Sequence, residues 1–354
     1  MPIINEPRVR ATDTLEPSAD AASRATAAER AGDWNEAAGL YAVTFRTALG
    51  QGEFERAADA LRGQARMRLQ QGRYEEAEEL LELSLEIARQ HGLAAAEARG
   101  CNVLGIIRYS QRDWAGAQPL YEQALEMALD GGDDELTGLA CLNLGVLANL
   151  RGDYHEARRR YLEGIGSFVR SGSTANAMLA YNNLGIASAD LQEWMEAEVY
   201  FSRGIEIAER LRHAPPAGML YSNLAKPLIQ VGELDRARAS LDLAEEAARR
   251  VGDTSTLTDV ERFRAMAARA DGDLDAAERH LSAALARVGG NEDMEQERAE
   301  VYREWAELAR AQGKPEVAVE RLREAALAFT RMGMVADAEA VRRRVAEISA
   351  EIPA

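Results

Sequence analysis

Three asparagines in this chain keep one register. Asn143, Asn183 and Asn223 follow one another at intervals of 40 residues, and Asn102 and Asn182 share the adjoining position. A primary amide offers two N–H donors and a carbonyl acceptor, so a row of them can pair with the backbone of an extended peptide without reading its side chains. Asparagine is a mediocre helix former, and its recurrence at a fixed interval needs a reason. Two are available: a ligand, or hydrogen bonds that tie neighbouring segments together.

The residue types that carry catalysis form no comparable pattern. The four histidines, His91, His155, His213 and His280, lack metal-ligand spacing. No phosphate-binding glycine loop and no nucleophile elbow is present. The Glu75–Glu76 and Glu78–Glu79 pairs read as a solvated helix face. The expectation is a protein without catalytic residues, metal or cofactor.

The elements that position the asparagines follow from punctuation. A short turn begins at Gly32, Gly72, Arg112, Gly152, Gln192, Gly232, Gly272 and Gly313, and a second series of glycines (Gly52, Gly92, Gly132, Gly172, Gly252, Gly333) runs 20 residues out of phase. The segments between breaks have helical length, and none alternates as a strand does. After each turn comes an alanine, as at Ala157, then a large residue four positions on, as at Tyr161, and a small one three further, as at Gly164. That i, i+4, i+7 line is one helix face. Such a fixed period denotes a solenoid of helical hairpins, with function spread along a repetitive surface.

Composition agrees. The chain has 354 residues, 6% of them aromatic, ample for a continuous core. Its formal charge of −17 argues against nucleic acid or an anionic membrane as the main partner. No apolar run is long enough to span a bilayer, and the first 17 residues do not read as a secretory signal. Cys101 and Cys141 occupy the same slot of neighbouring repeats and read as reduced core thiols. A cytoplasmic location is expected.

The pattern resembles the tetratricopeptide repeat. The small residue of that family's first helix falls on Gly105, Gly145, Gly185 and Ala225, its turn glycine on Gly152, its second-helix alanine on Ala157 and its aromatic on Tyr161. The period exceeds the common repeat of about 34 residues. It is similar to the long-helix variety of kinesin light chain, Pins-type adaptors and bacterial regulators, with glycine where the family usually has a terminal proline.

The resemblance implies an all-α, right-handed superhelical solenoid of about eight helix-turn-helix repeats. The expected repeats are 17–52, 53–92, 93–132, 133–172, 173–212, 213–252, 253–292 and 293–334, preceded by a polar, disordered tail over 1–16 and closed by a capping helix and tail over 335–354. It also directs attention to the concave surface, where the family binds peptides. On a helical projection the asparagines point that way, as do Tyr109, Leu142 and Ile186, with Arg62, Arg66, Arg99, Lys226 and Arg262 as a basic edge. Pro227 interrupts the backbone bonding of that helix beside Asn223.

These features predict a non-enzymatic scaffold or adaptor that holds a protein or peptide partner, amphipathic and with some acidic side chains. Alternatives are a peptide-sensing regulator of a bacterial signalling system and a self-associating structural component.

Overall fold

Two or three residues separate most of these helices, and each connection has a task. In the computed structural model, which describes residues 18–211 and 214–352, α8 ends at Ser171 and Gly172 adopts φ 75°. The N–H of Ser173 then reaches back to the carbonyl of Phe168 at 2.9 Å. This left-handed cap satisfies carbonyls the helix itself cannot. At four of the alternate turns an aspartate (Asp33, Asp113, Asp153, Asp273) caps the next helix, and the Asp153 carboxylate accepts from the N–H of Glu156 at 3.1 Å. One helix is stopped and the next is started within two or three residues.

The result among the described residues is seventeen α-helices and no strand. The first helices of the hairpins are α1 (Ser18–Ala31), α3 (Phe54–Gln70), α5 (Ala94–Ser110), α7 (Asp134–Leu150), α9 (Thr174–Asp190), α11 (Ala214–Gln230), α13 (Thr254–Ala270) and α15 (Glu295–Ala311). The second helices are α2 (Trp34–Gln51), α4 (Tyr74–Gln90), α6 (Trp114–Gly131), α8 (Tyr154–Ser171), α10 (Trp194–Leu211), α12 (Leu234–Val251), α14 (Leu274–Val288) and α16 (Pro315–Arg331), and α17 (Val335–Glu351) follows. The expected tail over 1–16 lies outside the described residues, as does His213. None of the described helices is long and apolar enough to cross a membrane.

Two units divide the chain, Met1–Gln111 and Arg112–Ala354. Within each, small residues of one helix receive large residues of its hairpin partner. A Cβ at Gly145 would stand 2.4 Å from the Tyr161 ring, one at Gly185 2.6 Å from Phe201, and one at Gly63 2.7 Å from Tyr41. The rings lie against bare backbone, which gives the close interhelical approach. Ala157, Ala197 and Ala237 are fully buried in the same layer.

First helices touch the first helices of the next repeat: α3 meets α5 in the first unit, and α7, α9, α11, α13 and α15 meet in series in the second. Among the described residues no two second helices make a comparable contact. The first helices therefore form the inner, tighter layer of each stack. Helix α11 runs through Pro227, whose ring is buried.

Among the described residues only Arg112 and Gln192 hold a positive φ without being glycine, at 63° and 61°. That backbone costs an L-residue roughly 1–2 kcal/mol. Replacing Gln192 by Gly should raise stability by about 0.5–1 kcal/mol, the strain relieved less the extra chain entropy of glycine. Denaturant melts of the two proteins measure this, and an unchanged midpoint would show the turn to be unstrained.

Candidate functional site

The inner surface of the second unit has two chemically distinct parts. The first, on α7, α9 and α11, is apolar and amide-bearing. Asn182 is buried between helices, while Asn143, Asn183 and Asn223 are half-buried. The Nδ2 of Asn223 donates to Oδ1 of Asn182 at 2.9 Å, and Nδ2 of Asn182 donates to Oδ1 of Asn183 at 3.3 Å. The ladder thus joins α9 to α11 across the repeat boundary, through the adjoining slot rather than from Asn183 to Asn223 directly. These two bonds use one donor each of Asn182 and Asn223, so the set retains hydrogen-bonding capacity. Close by in sequence on α7, the buried Oδ1 of Asn149 has no hydrogen-bond partner.

Leu142 and Ile186 are half-buried and pack against the cores beneath them. They contribute to stack packing as well as to surface. In the first unit Tyr109 is half-buried and Asn102 is buried. Burial pushes the Tyr109 phenol above its usual range.

The second part, on α13, α15 and α17, is a chain of ion pairs. Arg262 lies 2.7 Å from Asp259 and 3.9 Å from Glu300, and Arg303 lies 3.0 Å from Glu300 and 3.5 Å from Asp337. Lys226 on α11 reaches Asp190 at the end of α9, at 3.4 Å. Burial, then the charges of Asp190 and Asp337, push the Tyr154 phenol up to about 12. Burial and the neighbouring Glu300 push the Asp337 carboxyl up to about 6, against the opposing pull of Arg303.

The residues of the expected basic edge are engaged in ion pairs. Each of its members faces a carboxylate of the same unit: Lys226 and Arg262 as above, Arg62 beside Asp59 at 2.9 Å, Arg66 bonded to Glu29, and Arg99 3.4 Å from Glu55 and 3.5 Å from Asp59. For Arg62 and Arg262 helix geometry does this, because an acid three residues before an arginine lies on the same face, whereas Arg66, Arg99 and Lys226 meet acids of the preceding repeat.

The signal was present in the sequence. Asp59–Arg62, Asp259–Arg262 and Glu300–Arg303 occupy the same two slots of the second, seventh and eighth repeats. In the fourth to sixth repeats those slots hold Leu139–Leu142, Leu179–Asn182 and Met219–Ser222. Reading basic residues without the acids three positions earlier missed it.

No group of three or more His, Cys, Asp or Glu side chains among the described residues could hold a metal. His91 stacks on Phe54 with ring centroids 3.5 Å apart, and His280 Nδ1 lies 2.7 Å from Glu261. Cys101 and Cys141 are buried and free, their thiols pushed up to about 11 by burial. A thiol so protonated is a poor nucleophile.

Known proteins share this architecture. No curated protein matches the chain in sequence. By structure it is similar to the apo form of RapI, with 13% identity over 78% of this chain and 98% of that one and a TM-score of 0.67. It is also similar to a signal-transduction ATPase with a tetratricopeptide-repeat sensor from Pyrococcus horikoshii (14% identity, 93% of this chain and 50% of that one, TM-score 0.63). A third likeness is to the Rap conjugation gene regulator of plasmid pLS20, solved with the Phr* peptide (15% identity, 82% and 78% of the two chains, TM-score 0.61). At such identities the likeness establishes the fold alone. Two tetratricopeptide-repeat family models match residues 23–92 and 94–166. With the same helix, turn and packing positions recurring through the later repeats, the chain belongs to the tetratricopeptide-repeat family.

Proposed function

We propose that this protein is a non-enzymatic scaffold that holds an extended segment of a peptide or protein partner along the inner strip of α7, α9 and α11. The observation that carries this reading is the amide set of Asn182, Asn183 and Asn223, bonded at 2.9–3.3 Å yet with capacity to spare. It lies on an inner layer that is apolar in these repeats. Amides would pair with the ligand backbone, and Leu142, Val146 and Ile186 would receive its apolar side chains. Because the neighbouring cations are already paired, acidic side chains on the ligand gain little here. Two buried protonated thiols suit a cytoplasmic setting.

The test begins with a random-peptide library selected on the purified protein. Replacing Asn143, Asn183 and Asn223 together by Ala should weaken the selected peptides at least about tenfold, since each neutral hydrogen bond contributes roughly 0.5–1.5 kcal/mol. Helical content should be kept, because Ala is the better helix former. Normal binding with a lower melting point would instead make the ladder a tie between α9 and α11 and move the partner site elsewhere.

A second reading, a peptide-sensing regulator, has one observation in its favour. The proteins of similar fold include a gene regulator solved with a peptide and an ATPase whose repeats form its sensor.

A further inference from the structure

The two ends of the second unit meet. Helix α17, which occupies a first-helix position, touches α7. A Cβ at Gly152, in the turn after α7, would stand 3.0 Å from the Ala336 methyl. One at Gly333, in the turn before α17, would stand 2.8 Å from the Trp114 indole at the start of α6. The guanidinium of Arg112 donates to the carbonyl of Arg331 at the end of α16.

That bond fills a vacancy at the end of α16. The last four carbonyls of a helix lack intrahelical donors. In α16 those of Ala328, Phe329 and Thr330 accept from the N–H groups of Met332, Met334 and Gly333 at 3.0, 2.8 and 3.1 Å. That of Arg331 takes the Arg112 guanidinium, and a cation is favoured at the negative end of a helix. Arg112 does this from a backbone conformation that the corresponding turns at Gly32, Gly72, Gly152, Gly232, Gly272 and Gly313 give to glycine.

We infer that this contact is a latch: it closes the superhelical turn of the second unit and limits access to the inner strip on α7, α9 and α11. The packing along the stack is continuous, whereas the closing contact among the described residues is small: a charged hydrogen bond, an indole against a glycine turn, a methyl against another, and Tyr154 beside the Asp337 charge. Repeat stacks are held by nearest-neighbour interfaces, so a thin contact between distant repeats is the part that opens at least cost. The inference takes the inner strip to be the binding face, but the latch itself is tested by access and not by binding.

The experiment uses the full chain with Asn183→Cys as an inner-face reporter. Cys101 and Cys141 stay in place, being buried and protonated. The labelling rate with a polyethylene-glycol maleimide is compared with that of N-ethylmaleimide. Adding Arg112→Gly and Trp114→Leu should raise the rate of the bulky reagent about tenfold while leaving that of the small one nearly unchanged, and should lower hydrogen-exchange protection over residues 335–351. Gly333→Ala, which drives a methyl into Trp114 from the other side, should do the same. An unchanged rate for the bulky reagent together with unchanged exchange in both variants would overturn the latch. If labelling shows the latch but no library peptide binds the protein, the inference stands and the proposed binding function falls.

Discussion

Replacing Phe201 by Ala should cost about 3–5 kcal/mol, as expected for a large aromatic removed from a packed core. Phe201 is 1% exposed and sits in a cluster with Met178, Leu220, Leu224 and Leu241. Its ring lies against the backbone of Gly185, where an added Cβ would come within 2.6 Å. Gly185→Ala should therefore cost about 1–3 kcal/mol by overpacking. The informative variant combines Gly185→Ala with Phe201→Leu. The smaller side chain leaves room for the methyl, so the double change should cost less than the sum of the singles by about 0.5–3 kcal/mol. Chemical denaturation followed by circular dichroism gives all four stabilities. In a repeat array the transition need not be two-state, so the onset of unfolding is compared as well as the midpoint. Additive costs would mean that Gly185 and Phe201 do not set the spacing of their hairpin.

The second large effect has the opposite sign. Asp337→Asn should stabilise the protein at pH 7.5, by about 1–3 kcal/mol at the standard conversion of 1.36 kcal/mol per pKa unit. Asp337 faces Arg303 at 3.5 Å, with only 26% of its side chain exposed. Burial raises its carboxyl to about 6, Glu300 and Asp190 push the same way, and Arg303 and Lys226 oppose them. The ordinary value is 3.8, so between about pH 4 and pH 6 the folded protein holds a proton that the unfolded chain releases. The contribution of this group to stability falls as pH rises through that window and stays low above it. The amide mimics the protonated acid, so its advantage should be greatest above pH 6 and vanish near pH 4. Thermal melts of both proteins from pH 4 to pH 8 measure it. If Asp337→Asn lowers the melting point at pH 7.5, the Arg303–Asp337 pair is a net stabiliser despite its burial.

Much of the architecture was legible because it is local and repeated. Left-handed glycines, aspartate caps and the small–large alternation each act within a few residues, and eight imperfect copies of one pattern correct one another. The helix-to-helix turns fall where Gly32, Gly152 and Gly272 stand, and even Arg112 and Gln192 adopt the glycine backbone at their positions. The amide register was visible for the same reason. The sequence could also have shown which inner repeats are charged, had Asp259–Arg262 and Glu300–Arg303 been read as pairs instead of as single cations.

What the sequence by itself determined is the repeat: helix, turn, helix, and the faces they bury, all set by hydrogen bonds and contacts between near neighbours. Only the tertiary structure decided that Asn223 bonds to Asn182 and not to Asn183, that Lys226 meets Asp190, and that Arg112 reaches the carbonyl of Arg331. These pairings depend on the small rotation between successive hairpins, which accumulates along the stack. A period in the sequence records that each hairpin resembles the last, but not the angle through which the packed side chains turn it.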